Sequence, residues 1–450
     1  MAHSSAVIRD LGDGLVLCQA TIADVDRVVL FNTHVHSDQG WDVPDTKLGF
    51  WVQDLMSGSH PTVTVGDFLV VEDTATGEIV SSTNLIPQTW SYAGIEFGVG
   101  RPELVGTHPD YRRRGLVRAQ FEVLHQWSAE RGHSVQAITG IPWYYRQFGY
   151  DMALDLYGSR RGSVSNVPVL KEGQSERYVV RRAGVADLAT IAAIVSQGDE
   201  RDLVVCRRDA AQWRHELDGQ TLGNVQARRL CIIETAVGEP VGFLAHSEMR
   251  WGRVLYLTRY ELEAGVSWWN VTPSVLRYLK EVGAALQPYA ETPEGGPAFD
   301  TIGFGLGREH PAYEIVVDWL PKVDSPYAWY LRVPDVPDFL RLIAPVLERR
   351  LAVSVFVGHT GALKLDFYRG GVQIKFEAGR VVEVAPWAAR VGGDRGMVQF
   401  PDLTFLQVLF GYRSFEEVKH AYADCGGTLE GRLLTKALFP KSRSTVWPLA

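Results

Sequence analysis

Three consecutive arginines followed by a glycine, Arg112 to Gly115, are the residues of this sequence best suited to binding an anion. They follow a Pro-Asp pair and precede a segment with the apolar spacing of a helix. The first N–H groups of a helix have no partner within the helix and carry partial positive charge. Gly115 has no Cβ, so a phosphate can approach its backbone, and the arginines add charged donors. The sequence therefore predicts a phosphate-binding turn.

This turn lies inside a predicted strand–turn–helix–strand unit that spans residues 104–150. A short apolar strand comes before the turn, and an amphipathic helix and a second strand come after it. A tyrosine-rich helix start closes the unit. The predicted elements rest on Leu104 and Val105 for the first strand, Phe121, Leu124 and Trp127 for one helix face, Gly132 for the helix end, and Val135–Ile138 for the second strand. Such a unit is suited to holding a phosphate at the helix N-terminus.

The composition is that of a globular protein with several domains. The chain has 450 residues, which is more than one hydrophobic core normally serves, and 46% of them are hydrophobic and 22% charged. A net charge of −8 argues against a nucleic-acid partner. The N-terminus lacks a signal pattern, and no apolar run approaches the ~18 residues of a membrane span. The four cysteines are far apart and contain no CxxC pair, which is typical of buried thiols in the cytoplasm.

A weak internal repeat divides the first 320 residues or so. Residues 178–195 resemble residues 15–31, a strand followed by a helix, and residues 230–242 resemble the predicted hairpin at 69–81. The second copy lacks the arginine turn, and the segment Asn270–Pro273 takes its place. We therefore predict two related α+β domains, of which the second lost the phosphate site. The alternative is two unrelated α+β domains.

The sequence pattern of the last part of the chain predicts a separate unit of strands and helices. Tyr313–Trp319 is predicted to be the final strand of the second copy, followed by a linker to Pro326. The predicted elements after it are a helix at 334–350, strands at 352–357, 362–368, 372–377 and 380–385, and helices at 401–410, 414–425 and 430–439.

The central stretch resembles the GNAT superfamily of acetyl-CoA-dependent N-acetyltransferases. Arg112, Gly115 and Val117 follow its Arg/Gln-x-x-Gly-x-Gly/Ala signature, with valine in the last place. The segment Tyr145–Tyr150 is similar to its Tyr-x-x-x-Gly-Phe/Tyr element. The whole chain resembles the enhanced intracellular survival (Eis) group. That resemblance implies an α+β fold with a catalytic GNAT domain at 1–158, a degenerate GNAT-like domain at 159–322, and an α/β domain similar to sterol carrier protein at 323–450.

The resemblance implies acetyl-CoA as co-substrate and no metal. A His-x-His pair at 34–36 has no third ligand at a useful spacing. Tyr145 is implied to be the general acid for the leaving thiolate, because a phenol is protonated at neutral pH. Tyr144 is the alternative acid. The residues implied to hold the co-substrate are Val105, Thr107, Arg112, Arg113, Arg114, Gly115, Leu116 and Val117.

The general base stays open between three groups. In the Eis group the C-terminal carboxylate is the general base. In this chain that group belongs to Ala450, although relatives end in a bulky aromatic residue. Many other GNAT enzymes carry a glutamate base where this chain has Glu103. His108 is a third option. A free α-carboxyl group titrates near ~3.5, so Ala450 would act through water or with a raised pKa.

The expected acceptor is a primary amine. His36, Asp38 and Trp41 are predicted to line its cleft, because an aromatic ring beside carboxylates suits a cation. The expected reaction is acetyl transfer to a small cationic amine, similar to an aminoglycoside or a polyamine, or to a lysine side chain. The alternative is an acyl-CoA- and lipid-binding protein without transferase activity. By resemblance the protein is a homo-oligomer, with a hexamer expected.

Overall fold

The computed structural model describes residues 6–289, 298–389 and 396–449. Within these ranges the strands form three sheets, which combine parallel and antiparallel pairs, and helices cover their faces. The predicted α+β fold class is confirmed. The first sheet and the helices around it contain the arginine turn, defined here as Arg112–Val117, and they therefore position the candidate site.

The first sheet has the strand order β1-β2-β3-β4-β5-β6-β16-β7, and β10 pairs with the far half of β4. Its strands are β1 (Ala6–Gly12), β2 (Leu15–Gln19), β3 (Phe68–Asp73), β4 (Glu78–Tyr92), β5 (Ile95–Thr107), β6 (Val135–Ile138), β7 (Asp151–Leu156), β10 (Val204–Arg207) and β16 (Tyr327–Arg332). The predicted hairpin and the predicted strand at 135–138 are confirmed.

Three helices pack on this sheet: α1 (Val25–Val35), α2 (Thr46–Met56) and α3 (Leu116–Glu130). The Asp45 carboxylate caps α2 by accepting from the backbone N–H groups of Lys47 at 3.1 Å and Leu48 at 3.0 Å. Helix α3 buries Phe121 and Leu124, as their spacing predicts. Gly115 precedes α3 and adopts a left-handed φ of 78°, so the chain turns sharply from the arginines into the helix.

Two strands of the first sheet come from distant parts of the chain. Strand β10 pairs antiparallel with Thr89–Tyr92 of β4, and β16 lies between β6 and β7. The sequence patterns predict no strand at β16, which directly follows the predicted linker. Because β16 is inserted beside β6, the C-terminal third of the chain is built into the sheet that carries the arginine turn.

The second sheet has the order β15-β8-β14-β13-β12-β11-β9. Its strands are β8 (Ser159–Ser163), β9 (Tyr178–Arg182), β11 (Arg228–Thr235), β12 (Pro240–Ser247), β13 (Val254–Leu262), β14 (Thr301–Phe304) and β15 (Lys322–Asp324), and its helices are α4 (Leu188–Asp199), α5 (Ala210–Arg214) and α6 (Trp268–Ala285). The strand and helix that the repeat predicts at 178–195 are present as β9 and α4. A hairpin of β11 and β12 also stands where the repeat predicts one.

The two halves of the repeat share an ion-pair arrangement. In the first, Arg27 contacts Asp24 at 2.9 Å and Glu72 at 2.8 Å. In the second, Arg181 contacts Asp187 at 2.7 Å and Glu234 at 2.7 Å. The acids occupy matching places before the helix and on the hairpin, while the arginine comes from a different element. This correspondence favours a repeat over a chance similarity.

Two sequence predictions for the second half are wrong. Asn270–Pro273 does not form a loop, because these residues lie in the first turns of α6, and the connection before them is 263–267. Tyr313–Trp319 is not a strand. It begins in a short 3-10 helix, and the Tyr313 hydroxyl donates to the Phe304 carbonyl oxygen at 2.7 Å, which holds the segment against β14.

The third sheet has the order β19-β18-β17-β20-β21. Its strands are β17 (Gly361–Asp366), β18 (Gly371–Glu377), β19 (Arg380–Pro386), β20 (Val398–Gln399) and β21 (Gly426–Gly427), and its helices are α7 (Val336–Leu342), α8 (Ala344–Ala352), α9 (Phe405–Leu409), α10 (Phe415–Ala421) and α11 (Leu429–Leu438). The predicted helix at 334–350 is two helices that meet at Ile343. The predicted strand at 352–357 is wrong, because α8 ends there in turns.

A continuous apolar core joins the first sheet to the third. Trp90 and Trp329 of the first sheet belong to the same buried cluster as Leu363 and Ile374 of the third. The chain then returns from α11 along the first and second sheets, where Leu203 N–H donates to the Arg443 carbonyl oxygen at 2.8 Å. We call the final described segment, Ser444–Leu449, the tail.

Candidate active site

A cavity beside the arginine turn lies where β5 and β6 separate. These parallel strands pair only at Val99–Val135 and Gly100–Gln136. Beyond that point β5 continues to Thr107, while β6 ends at Ile138. The gap opens into a cavity of about 880 Å³, called here the main cavity, which is lined by both strand ends, the arginine turn and the tyrosines at 144–145. The geometry leaves the inner edge of β5 free to bind an extended molecule.

A β-bulge shapes the wall of the main cavity. Strand β4 pairs Ser82 with Gly106 and Asn84 with Glu103, so the two residues between them on β5 oppose a single residue of β4. Leu104 has a left-handed φ of 53° at this bulge. A Cβ at Gly106 would lie 2.6 Å from Val35 Cγ1, so the glycine lets the end of α1 pack directly on β5.

The arginine turn presents unpaired donors to the main cavity. The side chains of Arg112, Arg113 and Arg114 are exposed, and none of them forms an ion pair within the described residues. Arg112 and Arg114 donate only to backbone carbonyl oxygens, each at 3.3 Å. The space that a Cβ of Gly115 would occupy is open. Positive side chains, an open glycine and the N-terminus of α3 together form a site for a phosphate group.

Most of the residues predicted to hold the co-substrate lie together in this cavity. The predicted residues in its lining are Val105, Thr107, Arg112, Arg113, Gly115, Leu116 and Val117. Arg114 is not part of the lining, because its guanidinium packs over the ring of Tyr111 at 4.8 Å. Arg118, which the sequence analysis did not select, lines the cavity one helical position further on.

Tyr145 lies at the inner end of the main cavity and is 3% exposed. It begins a short 3-10 helix with Tyr144, and its ring stacks on Phe121 of α3 with centroids 6.0 Å apart. Burial raises the pKa of the Tyr145 phenol, and the nearby Glu103 carboxylate raises it further. The hydroxyl therefore stays protonated at neutral pH. Within the described residues no group hydrogen-bonds to it, so it is available as a proton donor.

Glu103 lines the main cavity beside Tyr145 and is held by Arg101. The Arg101 Nη2 group donates to Glu103 Oε1 at 2.7 Å. The same guanidinium donates through Nη1 to the main-chain carbonyl oxygen of Leu449 at 3.1 Å, and the Gln88 amide donates to that oxygen at 2.8 Å. Ala450, the predicted base, lies outside the described residues. Its neighbour Leu449 is 1% exposed and is fixed next to Glu103 through Arg101.

A second, smaller cavity adjoins the first. It has a volume of about 190 Å³ and shares Trp51, Glu103 and Thr139 with the main cavity. We call it the tail cavity, because residues 444–448 form one wall. The opposite walls come from β7, the start of β11 and the loop after β14. The two cavities therefore meet at Glu103, one on the side of the arginine turn and the other on the side of the tail.

Of the three residues predicted to bind the acceptor, one lines the main cavity and two lie outside the linings of both cavities. His36 lines the main cavity, and burial lowers the pKa of its imidazole, which keeps the ring neutral. Trp41 does not line either cavity. Its ring packs edge-on against His108 with centroids 4.3 Å apart. Asp38 also lies outside both linings.

Besides Arg118, two contributors to the site were not predicted from the sequence. Tyr330 of β16 packs against Tyr145, with ring centroids 5.6 Å apart, and its hydroxyl accepts from the Trp143 N–H at 2.6 Å. Arg101 was also not predicted, although the resemblance implies that the C-terminus belongs to the site. No local pattern around Tyr330 or Arg101 indicates these contacts, because their partners are 187 and 348 positions away.

Three further observations concern metal ligands, the cysteines and membrane-spanning helices. Within the described ranges there is no group of three or more metal-ligating side chains suited to a metal ion. All four cysteines are free and buried, as predicted. In the part of the chain that the structure describes, no helix has the length and apolar character needed to cross a bilayer.

Comparison with known proteins identifies the class of this site. Residues 33–153, from the end of α1 into β7, match the Acetyltransferase (GNAT) domain family. This segment contains the arginine turn, the separated strands and Tyr145. Residues 33–153 are thus similar to a GNAT acetyltransferase domain, and the protein is an acyltransferase.

Solved structures share the fold over nearly the full length of the chain. A GCN5-related N-acetyltransferase from Anabaena variabilis superimposes with a TM-score of 0.62 at 13% identity and covers 96% of this chain and 99% of its own. A probable N-acyltransferase of unknown function from Enterococcus faecalis has a TM-score of 0.65 at 11% identity, covering 96% and 97%. Eis1 from Mycobacterium abscessus has a TM-score of 0.57 at 14% identity, covering 96% and 100%. No curated protein has significant sequence similarity to this chain.

Proposed function

We propose that this protein is an acetyl-CoA-dependent N-acetyltransferase of the Eis type that acetylates a primary amine by direct transfer. The observation that carries the proposal is that the two cavities meet at Glu103, with unpaired arginines at one end and the buried tail at the other. Acetyl-CoA occupies the main cavity and the amine enters through the tail cavity. The two substrates then meet beside Tyr145.

The arginine turn fits the pyrophosphate of acetyl-CoA. Arg112 and Arg113, which line the cavity and form no ion pairs among the described residues, and the open backbone at Gly115 support this assignment, with Arg114 adjacent. The free inner edge of β5 between Val105 and Thr107 suits the amide groups of pantetheine, which hydrogen-bond like a β-strand. The bulge at Leu104 turns the backbone near Val105 out of register with β4, and a donor there can stabilise the developing charge on the thioester oxygen.

The proton balance of the reaction requires an acid and a base. The amine loses a proton and attacks the thioester carbonyl carbon, the C–N bond forms, and the C–S bond breaks. The thiolate takes a proton from Tyr145, whose pKa is raised by burial. The base is the C-terminal carboxylate of Ala450, and Glu103 is its rival. Glu103 accepts a hydrogen bond from Arg101, and so does the carbonyl oxygen of Leu449, the residue before Ala450 in the sequence.

We further propose the domain division 1–158, 159–322 and 323–450. The second sheet is a GNAT-like copy without the arginine turn, and the third sheet and its helices form a domain similar to sterol carrier protein. Strand β16 crosses this division, because it pairs in the first sheet although it follows residue 323. The similarity in fold to Eis1 supports the arrangement. A cytoplasmic homo-oligomer, with a hexamer expected, belongs to the same proposal.

Calorimetric titration with acetyl-CoA and a free-thiol release assay across amines test the proposal together. The amine panel contains aminoglycosides, polyamines and lysine peptides, which covers the predicted cationic small molecules and lysine side chains. We expect acetyl-CoA binding by the wild type and thiol release with at least one amine. Binding without transfer to any amine would favour an acyl-CoA-binding protein instead.

A further inference from the structure

The tail cavity contains a guanidinium that has no acidic partner. Arg228, the first residue of β11, lines this cavity, and within the described residues it forms no ion pair. Among the described residues, Arg228 Nη1 donates a hydrogen bond to the Gln226 carbonyl oxygen at 3.1 Å. Its guanidinium also packs over the ring of Trp447 in the tail, 5.6 Å from the ring centroid. Arg228 is half-buried, so its guanidinium has lost part of its hydration without gaining an ion pair among the described residues, which is unfavourable.

The acids of the tail cavity are already neutralised by other arginines. Glu103 pairs with Arg101 at 2.7 Å. Asp155 accepts two hydrogen bonds from Arg308, at 2.8 and 2.7 Å.

Glu216 is close enough to interact electrostatically with Arg228, but it pairs with Arg208 at 3.1 Å, so Arg228 is the cation of this lining that forms no ion pair among the described residues. This positive charge in the lining favours a ligand that carries a negative group. A polycationic acceptor would instead require negative charge in the cavity.

Other side chains of this lining carry buried N–H groups. Four side chains that line the cavity each carry a buried N–H group with no acceptor among the described residues. These groups are Trp51 Nε1, Arg101 Nε, Trp329 Nε1 and Trp447 Nε1. All four are donors, and among the described residues no buried unpaired acceptor belongs to the same lining. Each of these four groups has almost no accessible surface, so between them and Arg228 it is the Arg228 guanidinium that a ligand can reach.

We propose that the amine acceptor also carries a carboxylate, which Arg228 binds in the tail cavity while the amine faces Glu103. This inference rests on the proposed acetyltransferase function and narrows its acceptor to amino-acid-like molecules. A planar carboxylate can accept two hydrogen bonds from one guanidinium, which gives orientation as well as affinity. Burial lowers the pKa of Arg228 and the Glu216 carboxylate offsets part of this effect, and the arginine remains charged at neutral pH.

Arg228 is located so that one small acceptor molecule can contact it and also reach the reaction site. The tail cavity joins the main cavity at Trp51, Glu103 and Thr139, so one end of a small acceptor can reach the reacting thioester while its other end stays near β11. At about 190 Å³ the cavity suits a molecule of amino-acid size better than a large oligosaccharide.

The test uses pairs of acceptors that differ only in the carboxylate. The pairs are lysine with cadaverine, and each ω-amino acid from glycine to 6-aminohexanoate with the alkylamine that lacks its carboxylate. Thiol release at saturating acetyl-CoA gives kcat and KM, and calorimetry gives the affinity of each probe without requiring turnover. We expect the carboxylate-bearing member of at least one pair to have a KM and a Kd lower by roughly tenfold or more.

Variants at two adjacent arginines separate recognition from general effects. Arg228→Gln should raise KM and Kd for the carboxylate-bearing member by about tenfold and leave its partner amine unchanged, while Arg228→Lys should restore part of the difference. Arg229→Gln is the matched control, because Arg229 pairs with Glu248 at 2.7 Å and does not line the cavity.

Three outcomes contradict the inference or the function separately. If amines are acetylated but the carboxylate gives no advantage at any length, the inference fails and the acetyltransferase proposal stands. If Arg228→Gln impairs both members of a pair equally, Arg228 supports the tail rather than a ligand, and the inference fails. If calorimetry shows Arg228-dependent carboxylate binding but no amine is acetylated, the proposed function fails while the anion site remains.

Discussion

Arg101 Nη1 donates to the carbonyl oxygen of Leu449 at 3.1 Å, across 348 positions of the sequence. The same guanidinium holds Glu103 at 2.7 Å, so one buried cation connects the wall of both cavities to the end of the described chain. Because Arg101 is buried on β5, it fixes the tail relative to the separated strands. Glu103 and the main chain of Leu449 are therefore held by the same side chain.

Replacing Arg101 should destabilise the fold and release the tail. Arg101→Gln leaves Glu103 without its counter-charge, which should lower the free energy of unfolding by roughly 2–4 kcal/mol. Adding Glu103→Gln should recover part of that loss, because the unpaired charge is then gone. Denaturant unfolding measures the stability, and hydrogen exchange of residues 444–449 reports the tail. Slow exchange in the tail of the single variant would contradict this role of Arg101.

Tyr145→Phe should lower kcat by roughly 100-fold or more, as expected for loss of a general acid, while the Kd for acetyl-CoA stays nearly the same. Because burial raises the pKa of Tyr145, the wild-type kcat should not fall from loss of this proton as pH rises toward about 9, which lies below the usual tyrosine pKa. Pre-steady-state thiol release measures the chemical step. Tyr144→Phe is the control, because the neighbouring ring lines the same cavity. A larger effect at Tyr144 would transfer the acid role to it.

The two glycines at the ends of α3 offer a matched test of the arginine turn. Gly115 and Gly132 have φ values of 78° and 69°, and a Cβ added to either would meet no atom within 4 Å. Substitution by aspartate should therefore strain both by a similar ~1 kcal/mol. Only Gly115→Asp places a carboxylate beside the arginines, so it should abolish measurable acetyl-CoA binding. Calorimetry on both variants checks this, and equal loss of binding would indicate a general folding defect.

Stability should fall as the pH drops from about 6.5 toward 4, the interval between the usual histidine pKa and that of buried His125. Burial, together with the nearby positive charge of Arg332, lowers the pKa of His125 to about 4. In the unfolded chain the same histidine binds a proton near pH ~6.5, so protonation favours the unfolded state between these two values. The upper limit for this one histidine is about 3 kcal/mol at pH ~4. Thermal unfolding across this range should show a shallower decline for His125→Gln than for the wild type, with the same change at exposed His420 as the control.

The local part of the site could be predicted from sequence because its causes are local. Gly115, the arginines and the spacing of Phe121 and Leu124 are encoded within one strand–turn–helix unit, and the structure forms that unit as predicted. Asp38 and Trp41 show the limit of this reasoning. Their residue types suit an amine, but the packing of Trp41 on His108 turns this segment away from the cavity linings.

The remaining errors arise where distant contacts override a local pattern. Val353, Val355 and Val357 alternate like a strand, yet α8 extends to residue 352 and all three side chains are exposed in the turns that follow. Strand β16 has ordinary strand residues, but its partners in β6 and β7 are nearly 200 positions earlier, and no periodicity reports such pairing. Arg228 resembles any β-strand arginine in the sequence, because the absence of an acidic partner among the described residues appears only in three dimensions.

The C-terminal carboxylate and Glu103 can be distinguished by extending the chain. A short flexible extension after Ala450 removes the carboxylate from its position, whereas the same extension at the N-terminus leaves it in place. If Ala450 is the base, the C-terminal extension should lower kcat roughly 100-fold, because a positioned base typically contributes that much. Glu103→Gln should then lower kcat less, acting through Arg101 rather than directly. Acetyl-CoA affinity should be unchanged in all three proteins, which calorimetry verifies. Full activity of the C-terminally extended protein, together with an inactive Glu103→Gln variant, would assign the base to Glu103.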